Sequence, residues 1–196
     1  MAKSLSGGYG PVAALIMARS VHEAVFDSMP HAMSHGSTFA PNELGMAAGL
    51  ATLHELREQR LVEESARLGE RLLDLTRPLV DEFEVVRDVR GLGLAWAIEF
   101  AEPQGGGRMT YRMMERAQRG LFAQLVVVPL FTGHHTLTQV AGHDMAVIRI
   151  LPPLVVTDDD VDGFAEVLRA TIKDAQRMPK SLTKFALSAA SAGIRR

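Results

Sequence analysis

Lys3-Ser4-Leu5-Ser6-Gly7-Gly8-Tyr9-Gly10-Pro11 runs directly into the apolar segment Val12-Ala13-Ala14-Leu15-Ile16-Met17. A lysine followed at once by small residues, a Gly-Gly pair and an apolar run is a layout that can hold an amine still beside a bound ligand. Gly7, Gly8 and Gly10 allow positive φ and a close backbone approach, although the run spells neither GxGxxG nor a phosphate P-loop. Val12 to Ala18 reads as a short buried strand stopped by Arg19.

Downstream, Ser20-Val21-His22-Glu23 fits a capping box and predicts a helix over Val21–Ser28 that ends before Met29-Pro30. The small, polar stretch from His31 to Asn42 then leads into a long helical pattern from Glu43, carried by Leu44, Ala48, Ala51, Leu56, Leu61, Leu68, Leu72 and Leu75. Pro41 suits its first turn, a break is expected near Gln59, and Pro78 ends the region. Ser37 and Thr38 therefore precede a helix N-terminus, where free N–H groups and the dipole favour an anion such as phosphate. Plain helix capping is the commoner use of such hydroxyls.

Past Pro78 the elements shorten and alternate. Strands are predicted at Glu84–Val89 and Leu94–Phe100 around Arg90-Gly91-Leu92-Gly93, then a helix at Thr110–Arg119 closed by Gly120, and further strands at Leu125–Leu130 and Val147–Leu151. Thr157 with Asp158 to Asp160 caps a last helix bearing Val161, Phe164, Val167, Leu168 and Ile172 on one face. From Pro179 the tail is Ser- and Ala-rich with a basic end.

Composition limits the function classes. The 196 residues are 47% hydrophobic, and 21 basic residues face 23 acidic ones for a formal charge of -2. A core is affordable, and no basic footprint points to nucleic acid. The absence of cysteine excludes disulfides and thiolate metal sites and fits a reducing compartment. The apolar runs are too short or too interrupted to cross a bilayer, and no secretory leader is visible, so a soluble cytoplasmic protein is expected. His134, His135 and His143 match no common metal spacing, and Asp158–Asp160 lacks the glycine and closing glutamate of a calcium loop, so no metal is expected.

Four stretches together resemble the class III aminotransferases, the ornithine, acetylornithine and putrescine type, which use pyridoxal 5'-phosphate. Lys3 to Pro11 resembles their Schiff-base lysine region. His35-Gly36-Ser37-Thr38-Phe39 with Asn42 resembles the segment whose Ser or Thr binds the cofactor phosphate of the neighbouring subunit. Val89-Arg90-Gly91-Leu92-Gly93-Leu94, ending in Ile98-Glu99, resembles a small-domain strand turn. Ile148-Arg149-Ile150-Leu151-Pro152-Pro153-Leu154 resembles the last strand, whose arginine meets a substrate carboxylate. The resemblance implies Lys3 as the catalytic, cofactor-bonding lysine, Thr38 and secondarily Ser37 as phosphate ligands, and Arg149 as the substrate-binding residue. It further implies a homodimer and amino transfer from an amine or amino acid to a 2-oxo acid.

The implied fold is α/β plus α+β, the C-terminal portion of a fold-type I transferase. Residues 1–77 would be the end of the cofactor-binding large domain with a linking helix, 78–175 a small α+β domain, and 176–196 a tail. In the family a glycine/serine loop, a ring stacked on the cofactor and a carboxylate on its pyridine nitrogen all precede the lysine; only Met1 and Ala2 precede Lys3 here. The lysine must be neutral to bond the cofactor aldehyde, so a pKa of about 10.4 has to be lowered by burial or a nearby cation. Little or no transamination by the chain alone is the expectation. A non-catalytic remnant or dimerisation module, and an aminomutase or epimerase on the same fold, stay open as alternatives.

Overall fold

The computed structural model of the chain describes residues 2–38, 42–105, 107–142 and 144–177. It divides into two compact units, Met1–Val62 and a second beginning at Glu63.

In the first unit a 3-10 turn, Lys3–Ser6, leads through an extended stretch to helix α1 (Arg19–Val25), a second 3-10 turn, Met29–His31, and helix α2 (Glu43–Glu58). Two expectations are corrected here. Val12 to Ala18 forms no strand, and Leu15 and Ile16 are 64% and 77% exposed. A strand is held by partners on its flanks, and among the described residues the one sheet belongs to the second unit. Ser20 does not cap α1: Ala18 takes the extended N-cap conformation without a side-chain bond, and the helix stops at Val25 rather than Ser28.

Helix α2 starts where the pattern places it. Asn42 is its extended N-cap, and its Oδ1 accepts the Gly45 N–H at 3.2 Å. Pro41 lies outside the described residues. The break near Gln59 is present: α2 ends at Glu58, and Arg60 takes a positive φ of 50° before the next helix.

The second unit takes in α3 (Leu61–Thr76) from Glu63 onward, α4 (Leu79–Glu82), β1 (Val86–Leu92), β2 (Ala95–Phe100), α5 (Arg108–Ala117), α6 (Leu121–His134), β3 (Gln139–Ala141), β4 (Val147–Ile150) and α7 (Asp158–Gln176). The strands form one antiparallel sheet in the order β1-β2-β4-β3. Its inner face presents Val89, Trp96, Ile98, Phe100, Ile148 and Ile150. These join Leu68 and Leu72 of α3, Phe122 and Val126 of α6, and Leu168 and Ile172 of α7 in one core. The other face alternates outward, as period-2 geometry requires.

Specific contacts fix how the helices meet the sheet. Trp96 Nε1 donates to Thr76 Oγ1 at 3.1 Å, and Thr76 Oγ1 donates to the Leu72 carbonyl at 2.6 Å, so a buried polar chain ties α3 to β2. A Cβ at Gly69 would lie 2.3 Å from the Gly93 carbonyl, so α3 reaches the hairpin only through a residue without a side chain. Helix α7 opens with the expected capping box of Thr157 and Asp160. Arg67 meets both carboxylate oxygens of Asp158, at 2.8 and 2.9 Å, and Arg71 those of Asp162, at 2.7 and 2.6 Å, bracing α3 against α7.

The strand predicted at Leu125–Leu130 is instead the middle of α6. An apolar run buried on most sides shows no decisive period, and its length then favours a helix. Gly120, with φ of 75°, is the N-cap of α6 and not the close of α5. The carboxylate of Glu115 accepts the N–H groups of Gly120 and Phe122 at 2.7 and 3.0 Å, capping α6 from the preceding helix. Pro129 sits inside α6, exposed, at the cost of one backbone bond. No helix among the described residues is long and apolar enough to cross a membrane. The tail from Pro179 lies outside the described residues.

Candidate functional site

Lys3 opens the 3-10 turn with φ of 59°, a left-handed conformation uncommon for a residue with a side chain, and it is exposed. The loop behind it is organised by Ser6, 1% exposed. Its Oγ donates to the Gly10 carbonyl at 2.5 Å and accepts the Gly10 N–H at 3.2 Å, closing the loop on itself. Gly7 and Gly8 turn inside that ring with φ of 65° and 87°. The glycines are required by the turn, as the sequence suggests.

This loop rests on α2. A Cβ at Gly45 would lie 2.8 Å from the Pro11 carbonyl oxygen, and one at Gly49 would sit 3.8 Å from the Leu5 carbonyl oxygen and the Val12 methyls. Gly45 and Gly49, spaced i, i+4 on one helix face, form a trough for the backbone that follows Lys3. Asn42 adds a bond from Nδ2 to the Pro11 carbonyl at 3.5 Å.

Ser37 and Thr38 are exposed in the segment before α2. Asn42 performs the capping, so neither hydroxyl is the helix cap. Nearby, the Nδ1 of His31 lies 2.6 Å from Oδ1 of Asp27, to which Ser28 also donates at 2.9 Å. The His31 hydrogen bond, with that of Ser28, holds the Asp27 carboxyl below the usual aspartate range. His31 is thus a local hydrogen-bonding group.

Arg149 belongs to the second unit. It stands on the outward face of β4, exposed, and its Nη2 donates to Oε1 of Gln139 on β3 at 2.6 Å. Arg90 plays a structural part: it donates to Asp88 at 2.6 Å and to Glu99 at 2.8 Å, and these bonds raise its pKa above the usual arginine value. Among the described residues no cluster of three His, Asp or Glu side chains could hold a metal, and His143 lies outside them. Ser6, Gly45 and Gln139 are supporting residues to which the sequence reading gave no role, and Asn42, quoted there within a motif, was not read as a cap; each acts through a partner set by folding.

Comparison with known proteins matches the chain to one family. The model of aminotransferase class III covers residues 1–172. An uncharacterised aminotransferase of Schizosaccharomyces pombe is 31% identical over 177 residues, which are 88% of this chain and 34% of the relative. Among solved structures, a transaminase from the marine bacterium Virgibacillus superposes with a TM-score of 0.75 at 26% identity, over 90% of this chain and 38% of its own. Ornithine delta-aminotransferase from Plasmodium falciparum superposes with a TM-score of 0.68 at 28% identity, over 90% of this chain and 40% of its own. The chain spans little more than a third of the length of such relatives, and its mixed α/β architecture is part of a fold-type I transferase. It belongs to the class III aminotransferase family.

Proposed function

We propose that this chain carries the lysine of a pyridoxal 5'-phosphate-dependent amino transfer from an amine or amino acid to a 2-oxo acid. The observation that supports the reading best is the lysine loop: Lys3 leads a segment closed by Ser6 and bedded on the glycine trough of α2, within a family match that begins at residue 1. The donor set fits two ends of the cofactor, an amine for its aldehyde and hydroxyls at Thr38 and Ser37 for its phosphate. When bound, the cofactor supplies an electron sink for the substrate carbon.

The residues of the chain do the rest. Lys3 would be the residue that holds the cofactor through its aldehyde, and its amine would carry a proton at the substrate Cα as general acid and base. Thr38, assisted by Ser37, holds phosphate across a homodimer. Arg149 supplies a planar fork for a substrate carboxylate. The setting is the cytoplasm.

A carboxylate for the pyridine nitrogen is not assigned within this chain; Asp27 is engaged by His31 and Ser28. Lys3 is exposed. Both points support weak turnover, or none, by this chain alone. They also favour a second reading, in which the chain alone is non-catalytic and serves in dimerisation.

Cofactor retention tests the proposal. Wild type incubated with pyridoxal phosphate and desalted should retain cofactor absorbance, Thr38→Ala should retain less, and Lys3→Arg, which keeps the charge but cannot form the bond in place, should retain none. Equal retention by wild type and Lys3→Arg would overturn it.

A further inference from the structure

On the outward face of the sheet one row of residues crosses every strand: Arg90, Ala97, Arg149 and Gln139, each opposite the next in register. The two guanidinium groups in this row are in different electrostatic states. Arg90 is shared between Asp88 and Glu99, and Glu99 also pairs with Arg87 at 3.2 Å. Arg149 donates to the amide of Gln139, and among the described residues no carboxylate pairs with it.

The difference lies in the partner. A carboxylate orients a guanidinium and also neutralises it; an amide carbonyl orients it and leaves its charge whole. Residues directly opposite in an antiparallel pair have Cβ atoms about 4.5–5.5 Å apart, so the register itself delivers Gln139 to Arg149. Ala97, between the arginines, is too short to reach either. Only one corner of the Arg149 fork is used, and the remaining edge can take a carboxylate through two parallel N–H···O bonds.

We infer that Gln139 is a positioning and specificity-determining residue: as a neutral partner it aims the Arg149 guanidinium while leaving its charge for a ligand carboxylate. The inference rests on the reading of Arg149 given above and deepens it. An amide at position 139 makes this row an anion seat; a carboxylate there would close it.

The test uses the full chain, modified with phenylglyoxal and mapped by peptide mass, with pyruvate or with sodium chloride at equal ionic strength. In wild type, pyruvate slows modification of Arg149 by about two- to fivefold, the range of an exposed charge pair, and sodium chloride does not. Gln139→Met keeps the charge but loses the aim, so Arg149 stays reactive and pyruvate protects it less. Gln139→Glu lowers the reactivity of Arg149 by about two- to fivefold without pyruvate, and pyruvate adds nothing further. Arg90 in the same digests is unaffected by pyruvate and serves as the reference.

If Gln139 merely held the short edge strand, both variants would behave alike. Gln139→Glu leaving Arg149 as reactive and as well protected as in wild type, with unchanged circular dichroism, would overturn the inference. Absence of pyruvate protection in wild type would instead remove the carboxylate seat itself, and with it the role of Arg149 in the proposed function. Neither result bears on cofactor retention by Lys3.

Discussion

Gly45→Ala and Gly49→Ala place the same methyl group on the same face of α2 with opposite expected signs. Alanine is favoured over glycine in a helix by about 0.8–1 kcal/mol. At Gly49 the new Cβ would meet its nearest atoms at 3.8 Å, an ordinary contact, so most of that gain should survive. At Gly45 it would meet the Pro11 carbonyl oxygen at 2.8 Å and Asn42 Nδ2 at 3.2 Å. Overpacking of this kind costs about 1–3 kcal/mol, so Gly45→Ala should come out about 0–2 kcal/mol unfavourable. Relief requires Pro11 to move, and the ring closed by Ser6 and Gly10 moves with it, along with the lysine at its head. The assay is hydrogen exchange of peptides from 42–58, which reads local opening of the first unit, run beside cofactor labelling of Lys3. Gly49→Ala should slow exchange by up to about fivefold, the equivalent of about 1 kcal/mol, and keep the label. Gly45→Ala should speed exchange and lose label. Slowing by Gly45→Ala equal to that by Gly49→Ala would refute the trough.

Three further outcomes follow from the second unit. Thr76→Val removes the acceptor of Trp96 Nε1 and strands a buried donor, which should cost about 1–3 kcal/mol in urea unfolding followed by emission of Trp96, the one tryptophan of the chain. Glu115→Ala deprives the N–H groups of Gly120 and Phe122 of their acceptor and should cost about 0.5–2 kcal/mol, as loss of a helix cap does. Asp158 and Asp162 are held below the ordinary aspartate value of 3.8, chiefly by hydrogen bonds from Arg67 and Arg71 respectively. A carboxyl depressed on folding stabilises above its unfolded pKa and loses that contribution as pH falls through its folded value. The fold should therefore weaken as pH is lowered below about 4, and Arg67→Ala with Arg71→Ala should flatten that slope in acid titration by circular dichroism.

What was legible in the sequence was what short-range chemistry writes there. The capping box at Thr157, the apolar face of α7, the helix beginning at Glu43 and the break near Gln59 are local signals, and each has its counterpart in the structure. The hairpin strands and β4 showed through β-branched and aromatic residues flanked by glycine or proline. Segments whose state depends on distant partners were misread. Leu125–Leu130 is apolar in every direction, so its period decides nothing, and the length of the run, the Glu115 cap and the surrounding core select a helix. Val12 to Ala18 has strand composition, yet no described strand pairs with it. The family was legible because four motifs in order carry more information than any one. Its supporting residues were not: nothing near Ser6 announces a ring with Gly10, nothing near Gly45 announces contact with Pro11, and Gln139 acquires meaning only when a hairpin register sets it opposite Arg149.

The central claim, that Lys3 is the cofactor-bonding residue, is tested most directly by trapping the bond. The purified chain is incubated with saturating pyridoxal phosphate, reduced with borohydride, and mapped by peptide mass. Mapping is essential because an α-amino group, with a pKa near about 7.7–8.0, reacts more readily than an ordinary lysine. The expected result is one equivalent of label on Lys3, lost in Lys3→Ala. Label confined to the α-amino group, or scattered over other lysines with Lys3 no richer than the rest, would contradict the account.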